Sequence, residues 1–267
     1  RDRSPSRGLG DVYKRQVMGF MAGGPLGALA GYALGSFFDK ATDLGNVGSE
    51  TASDDAYAGP AGQRNSFLFS MLVMASYIIR ADGRIMHSEM EFVRRFLRTN
   101  FGEAAVAEGE QILLNLFEQR KQMERTDPTA FRRTIRDCGA QIAANLSYEE
   151  RLQLLSFLVK IAQSDGSVCA AEVDALKEVS QAMALSDQEL GSLMSLRSDS
   201  LEDAYKVLEI SSSATDAEVR AAYRSLALKH HPDRVATLGE DIRKAAEEKF
   251  QQINAAKERI YKARGMK

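Results

Sequence analysis

Residues 64–195 carry apolar side chains at helical spacing along nearly their whole length. Apolar positions recur every three to four residues, which places them on one face of a helix. Clear stripes are Phe67–Met71–Met74–Ile78, Phe92–Val93–Phe96–Leu97 and Leu154–Leu155–Leu158–Ile161. No run of alternating polar and apolar residues suggests a strand. The pattern therefore predicts an all-α bundle of about six or seven helices, in which Ser88-x-x-Glu91 and Ser186-x-x-Glu189 each open a helix as a capping box.

The C-terminal segment, residues 196–267, is predicted to form three helices. Leu201–Glu209 is short, and Thr215-x-x-Glu218 is a capping box that opens a longer amphipathic helix. That helix breaks at His231-Pro232-Asp233, because proline disfavours helical backbone in the residue before it. A polar loop leads to a third helix, Asp241–Lys262. The two long helices should pair as an antiparallel hairpin, with the short helix bracing its open end.

Residues 17–38 form an uncharged apolar segment long enough to cross a bilayer. At about 1.5 Å per residue the segment spans roughly 33 Å, against a hydrocarbon core of about 30 Å. Glycine recurs at every fourth position, and in lipid such a row lets two helices approach closely. We therefore predict a transmembrane helix that forms a homodimer through Gly19, Gly23, Gly27, Gly31 and Gly35. A signal-peptide core and a soluble, weakly helical segment are the competing interpretations.

The segments on both sides of this helix are predicted to lie outside the folded domains. Residues 39–63 are rich in Gly, Ala, Ser and Asp without an apolar period, which is typical of a flexible linker. Residues 1–16 are polar and resemble translated adaptor sequence, so we expect them to be non-native. Lys14 and Arg15 would otherwise place the N-terminus in the cytoplasm. Without them the charge rule gives no orientation.

Charge and residue counts argue against several classes of function. The chain of 267 residues has a formal net charge of -2, so we expect no nucleic-acid partner. Two cysteines cannot form a disulfide scaffold or a four-cysteine zinc site, and three histidines argue against a multi-histidine metal centre. No nucleophile lies in a recognisable arrangement with a base. We therefore predict no catalytic residue and no cofactor.

A short motif occurs twice in the predicted bundle. Ala81-Asp82-Gly83-Arg84-Ile85 followed by Glu89 recurs as Ser164-Asp165-Gly166-Ser167-Val168 followed by Glu172. Such paired units resemble the TerB-like (tellurite-resistance-B-like) helical domain over residues 64–195. The resemblance implies a metal or small-ligand site with Asp82, Glu89, Asp165 and Glu172 as candidates, since carboxylates suit hard cations. Alternatively, these residues only turn the chain and cap the following helices.

The C-terminal segment resembles a J domain, the module of the DnaJ family. The resemblance rests on D-A-Y-K-V-L-E-I at 203–210, on H-P-D at 231–233 after a basic amphipathic helix, and on F-Q-Q-I-N-A-A at 250–256. It implies binding to a DnaK-type chaperone (heat shock protein 70 class) and stimulation of its ATP hydrolysis. The residues implied in this contact are His231, Pro232, Asp233, Arg220, Arg224, Lys229 and Tyr223. For the basic residues, a solvated helix face and a nucleic-acid contact are the competing interpretations.

Together, the three segments resemble the membrane-anchored DnaJ-like co-chaperones of the DjlA type over residues 17–267. The resemblance implies a single-pass protein of the bacterial inner membrane. Its TerB-like domain (64–195) and J domain (196–267) would lie in the cytoplasm, where the DnaK-type partner and ATP are found. A second hypothesis is a ligand- or metal-sensing TerB-like domain whose J domain transmits the response.

Overall fold

The computed structural model describes residues 23–41, 60–79, 87–164 and 166–267, and every regular element within these ranges is a helix. The predicted all-α fold class is confirmed. The N-terminal and central helices are α1 (Gly24–Ala41), α2 (Pro60–Ile78), α3 (His87–Phe101), α4 (Glu103–Thr126), α5 (Ala130–Asn145), α6 (Tyr148–Ala162), α7 (Ala170–Ala182) and α8 (Asp187–Ser195). The C-terminal helices are α9 (Leu201–Val207), α10 (Asp216–Lys229), a 3₁₀ helix (Pro232–Leu238) and α11 (Glu240–Arg264).

Helix α2 lies at the centre of the bundle. Every residue from Phe69 to Ile79 is buried, as expected for a helix that packs against neighbours on all sides. The ring of Phe157 on α6 packs edge-on against Phe67 and Phe96, with centroids 6.2 and 4.3 Å away. These aromatic contacts join α2, α3 and α6 in one core.

Two of the three predicted capping boxes form, at the starts of α8 and α10, whereas Ser88 lies inside α3, which already includes His87. The Ser186 N–H donates to Glu189 Oε2 over 2.7 Å, and the Glu189 N–H donates to Ser186 Oγ over 3.3 Å. Thr215 and Glu218 make the same reciprocal pair. Each pair satisfies N–H groups that the first helical turn leaves without an intrahelical partner, so these two predictions are confirmed.

Helix α1 packs against the bundle through an apolar stripe. Leu26, Leu29, Ala30 and Ala33 are buried, and α1 contacts both α4 and α5. Its first turn is held by Gln141 of α5, whose Oε1 accepts from the Leu26 N–H over 2.9 Å. Within the described residues, no helix combines the length and the apolar content needed to cross a bilayer.

The bounds of α1 and α2 differ from the predicted segment boundaries. Helix α1 begins at Gly24, which has a φ of 70°, and continues to Ala41. Residues 17–22 and 42–59 lie outside the described residues. Helix α2 begins at Pro60, and a proline without an N–H fits the first helical turn. Helix α1 thus ends and helix α2 begins inside the predicted linker of residues 39–63, and the linker between them stays a prediction.

The C-terminal helices α10 and α11 form the predicted antiparallel hairpin. Contacts between them run in opposite chain directions, as the pairs His231–Phe250, Tyr223–Asn254 and Asp216–Arg264 show. Helix α9 packs across α11 and buries Ala204, Tyr205 and Val207. The three-helix arrangement brings the turn at 231–233 to one end of the hairpin.

Candidate partner-binding surface

The His231-Pro232-Asp233 tripeptide forms the sharp turn after α10. His231 has extended backbone (φ -63°, ψ 130°), because the following proline disfavours a helical conformation there. Its Nδ1 accepts a hydrogen bond from the Asp233 N–H over 3.3 Å. Pro232 is buried, whereas the side chains of His231 and Asp233 are 50% and 75% exposed. The turn thus presents an imidazole and a carboxylate to solvent on a fixed backbone.

The basic residues predicted to accompany this turn have two different environments. Arg220 and Arg224 are exposed, and neither makes an ion pair or a side-chain hydrogen bond with a described residue. Lys229 instead lies between two carboxylates, with Nζ 3.6 Å from Glu209 Oε2 and 3.9 Å from Glu189 Oε1. The positive charge available to a partner is therefore concentrated on Arg220 and Arg224.

Tyr223 holds the two hairpin helices together. Its hydroxyl donates to Asn254 Oδ1 on α11 over 2.6 Å, and the Lys257 ammonium lies 4.8 Å from its ring centroid. The ring is half-buried between the helices. These contacts give Tyr223 a structural role within the hairpin, in addition to any contact that its exposed edge makes with a partner.

At the open end of the hairpin, Arg264 connects α11 to the loop between α9 and α10. Its guanidinium donates to the Tyr205 hydroxyl (2.7 Å) and to the carbonyls of Ala214 (2.6 Å) and Ser212 (2.8 Å). Sequence reasoning did not single out this residue. A basic side chain in the last turn of a helix was the only available signal, and it predicts no particular partner.

The hairpin also packs directly against the bundle. The 3₁₀ helix that follows the tripeptide contacts α2 and α6. Lys249 of α11 is fully buried there, and its Nζ donates to Gln153 Oε1 of α6 over 2.7 Å. Burial lowers the pKa of Lys249 to about 7, and the charge of Lys160 adds to the effect. A buried amine with a lowered pKa thus joins the bundle and the hairpin.

His230, which precedes the tripeptide, faces this junction rather than solvent. It is 3% exposed and its Nδ1 has no hydrogen-bond partner. Burial, together with the charges of Lys249 and Lys229, lowers its pKa well below the usual value. His230 is therefore neutral near pH 7, and only His231 of the two adjacent histidines is available to a partner.

The predicted metal candidates are not brought together in the described part of the chain. Asp82 and Asp165 lie outside the described residues, and both Glu89 and Glu172 are buried. Glu172 Oε2 accepts from the Cys169 N–H over 2.7 Å and so caps the start of α7. Across the described ranges, no three His, Cys, Asp or Glu side chains approach closely enough to hold a metal ion. For Glu172, the capping interpretation fits these contacts.

The predicted glycine row is only partly within the described residues. A Cβ built on Gly23 or Gly31 would meet no atom of the described residues within 4 Å. Gly27 is partly buried and Gly35 lies in the last part of α1. Gly19 falls outside the described residues. The positions of Gly23 and Gly31 leave them accessible to another helix.

Three family models match the chain, in the order in which the sequence segments were distinguished. The model for the Co-chaperone DjlA transmembrane domain matches residues 16–52. The model for the Tellurite resistance protein TerB matches residues 69–195, and the model for the DnaJ domain matches residues 203–264.

Similar curated proteins extend over nearly the whole chain. A Co-chaperone protein DjlA from Photobacterium profundum is 25% identical over 93% of this chain and 96% of its own length. One from Coxiella burnetii is 26% identical over 94% of this chain and 96% of its own length. One from Shewanella oneidensis is 28% identical over 88% of this chain and 90% of its own length. No solved structure gives a significant match.

Proposed function

Since the order of its three matched domains and its full-length relatives show that the chain belongs to the DjlA-type co-chaperones, we propose that it binds a DnaK-type chaperone and stimulates ATP hydrolysis there. A co-chaperone of this kind is a regulatory protein rather than an enzyme. The proposal rests above all on the exposed His231 and Asp233 side chains, which Pro232 holds in a fixed turn.

The exposed face of α10 suits a first encounter with an acidic surface of the chaperone. Arg220 and Arg224 lie at a spacing of four residues and are not neutralised by described neighbours. Complementary charge accelerates association and selects orientation. The fixed turn then reduces the ordering cost when Asp233 pairs with an arginine of the chaperone and His231 reaches its domain junction.

Membrane anchoring completes the proposal. The match of residues 16–52 to a DjlA transmembrane domain, and the DjlA relatives, support a membrane-anchored protein. We infer a single pass through the bacterial inner membrane, with the TerB-like and J domains in the cytoplasm beside the chaperone and ATP. Homodimerisation through the glycine row from Gly19 to Gly35 is part of the proposal. It is supported by Gly23, just before α1, and Gly31, on α1, which no described atom covers.

Single-turnover ATP hydrolysis by a DnaK-type chaperone tests the central step. The full chain in mild detergent should accelerate hydrolysis, and the His231→Gln variant should reduce that acceleration at least tenfold. Arg220→Ala combined with Arg224→Ala should raise the concentration of co-chaperone needed for half-maximal stimulation, because it removes steering charge.

Arg136→Ala is a matched control, because Arg136 is an exposed arginine on α5, outside the J domain. It should stimulate hydrolysis as the wild type does. Far-UV circular dichroism should show equal helix content in all variants, so that a loss of stimulation is not a loss of folding. Equal stimulation by the wild type and His231→Gln would overturn the proposal.

A further inference from the structure

A cavity of about 730 Å³ lies where the bundle meets the J domain. Its walls come from the first turns of α3, from the end of α6, from the segment between α8 and α9, and from α11 of the J domain through Gln252. None of the residues assigned to chaperone binding lines this cavity. A molecule bound there would touch both domains at once.

Three cations line the cavity with few compensating groups. Arg95 and Lys160 make no ion pair or side-chain hydrogen bond with a described residue. Arg197 makes only one long contact, 3.5 Å from its Nη1 to the Gln163 carbonyl. Like charges gathered in this way repel one another, and a bound anion would remove that cost.

Lys160 lies near both a carboxylate and a second cation. Burial lowers the pKa of this lysine, the charge of Glu248 raises it, and the smaller effect of the Arg197 charge lowers it. Glu248 is not within ion-pair distance of Lys160, since no N–O contact of 4.0 Å or less joins them. The carboxylate in the cavity wall, Glu91, is ion-paired with Arg94 over 3.3 Å. Among the described residues, no carboxylate therefore forms an ion pair with Arg95, Lys160 or Arg197.

Two neutral features also suit an anion. Ser164 Oγ is buried at the cavity and has no hydrogen-bond partner, so a hydroxyl donor is available. Ser88 lies in the first turn of α3, a helix of 15 residues, and a helix N-terminus carries partial positive charge. Cationic side chains, a hydroxyl and a helix N-terminus are the usual components of phosphate sites.

We propose that this cavity binds a compact phosphate-bearing anion, held by Arg95, Lys160 and Arg197, and that the bound anion bridges the TerB-like bundle and the J domain. The proposal concerns an anion, whereas the acidic residues of the repeated motif had suggested a cation. It goes beyond the proposed chaperone activity and is independent of it. The phosphate is either that of a soluble metabolite or that of a lipid headgroup.

Two binding experiments on the full chain distinguish these sources. In mild detergent, pyrophosphate is titrated and the heat of binding is measured at 150 mM salt. In nanodiscs, hydrogen exchange of residues 87–95 and 250–254 is compared with and without phosphatidic acid in a phosphatidylcholine bilayer. Binding in the first experiment indicates a soluble phosphate, and protection only in the second indicates a lipid headgroup. Either result supports the binding of a phosphate group in the cavity. If neither experiment gives a response, the proposal is overturned.

Substitutions then test the assigned residues. Lys160→Met and Arg197→Met should each weaken the observed binding about tenfold or more, because each removes a charge-assisted contact. Lys177→Met, which changes an exposed lysine of α7 outside the cavity, should bind as the wild type does. Binding that is equal in all four proteins would refute the assignment. The readout uses no chaperone, so failure here and failure of the proposed function remain distinguishable.

Discussion

The buried amine of Lys249 should make the stability of this protein increase with pH in a range where most proteins change little. In the folded chain the pKa of Lys249 is lowered from 10.5 to about 7, mainly because burial penalises the charged form. In the unfolded chain the amine returns to its ordinary pKa. Between pH 7 and pH 9 the unfolded state therefore binds a proton that the folded state has released. Linkage then requires the free energy of unfolding to rise with pH across this window.

The size of the effect follows from the pH interval. Each pKa unit corresponds to about 1.4 kcal/mol. Because the folded amine is still half protonated at pH 7, the rise to pH 9 gives the wild type roughly 2 kcal/mol. Lys249→Met lacks this gain, and its free energy of unfolding should change with pH by roughly 2 kcal/mol less than that of the wild type. The substitution also leaves Gln153 Oε1 without its 2.7 Å donor, at a pH-independent cost of about 1–3 kcal/mol. Adding Gln153→Leu should recover most of that cost, since both polar groups are then gone.

Urea unfolding of the full chain in mild detergent, followed by circular dichroism at pH 7, 8 and 9, measures these differences. The window lies above the titration of His230, whose pKa is lowered well below its usual value. Lys177→Met is a matched control, because it removes an exposed lysine whose charge has no burial cost. If Lys249→Met and the wild type gained stability in parallel between pH 7 and pH 9, the amine would not be buried as described.

Two further predictions concern the hairpin and the N-terminal helix. Tyr223→Phe should cost about 1 kcal/mol in urea unfolding, because it removes the 2.6 Å bond to Asn254, yet should retain chaperone stimulation. Loss of stimulation without loss of stability would show that Tyr223 contacts the chaperone instead. Replacing Gly23, Gly27 and Gly31 together by leucine should abolish dimers in a membrane cross-linking assay, because the larger side chains prevent the close approach of two helices. Unchanged cross-linking would reject the dimer.

The J-domain hairpin could be predicted from the sequence because its signals are local. The capping box at Thr215 and Glu218 fixes the start of α10, and Pro232 ends helical backbone at the residue before it. Neither signal depends on distant parts of the chain. The apolar period of α11 likewise predicts which residues face the other helices, and Ile253, Ala256 and Ile260 are buried as this period requires.

The junction between the domains could not be predicted in this way. Lys249 lies in a charged stretch of α11, and nothing in its neighbours indicates a buried partner 96 residues away. Lys229 could not be distinguished from Arg220 and Arg224 either, because only tertiary packing brings its ammonium close to Glu189 and Glu209. Such residues are identified only when the packing of separate elements is known.

Protonation of Lys249 and anion binding in the cavity should also depend on each other. Gln252, which lines the cavity, lies three residues after Lys249 and thus nearly one turn along α11. The charge of Lys160, also in the cavity wall, helps to lower the pKa of Lys249. An anion beside Lys160 would offset that charge and raise the pKa of Lys249. Reciprocity then requires protonation of Lys249 to strengthen anion binding, so the anion should bind more tightly at pH 6.5 than at pH 8.5.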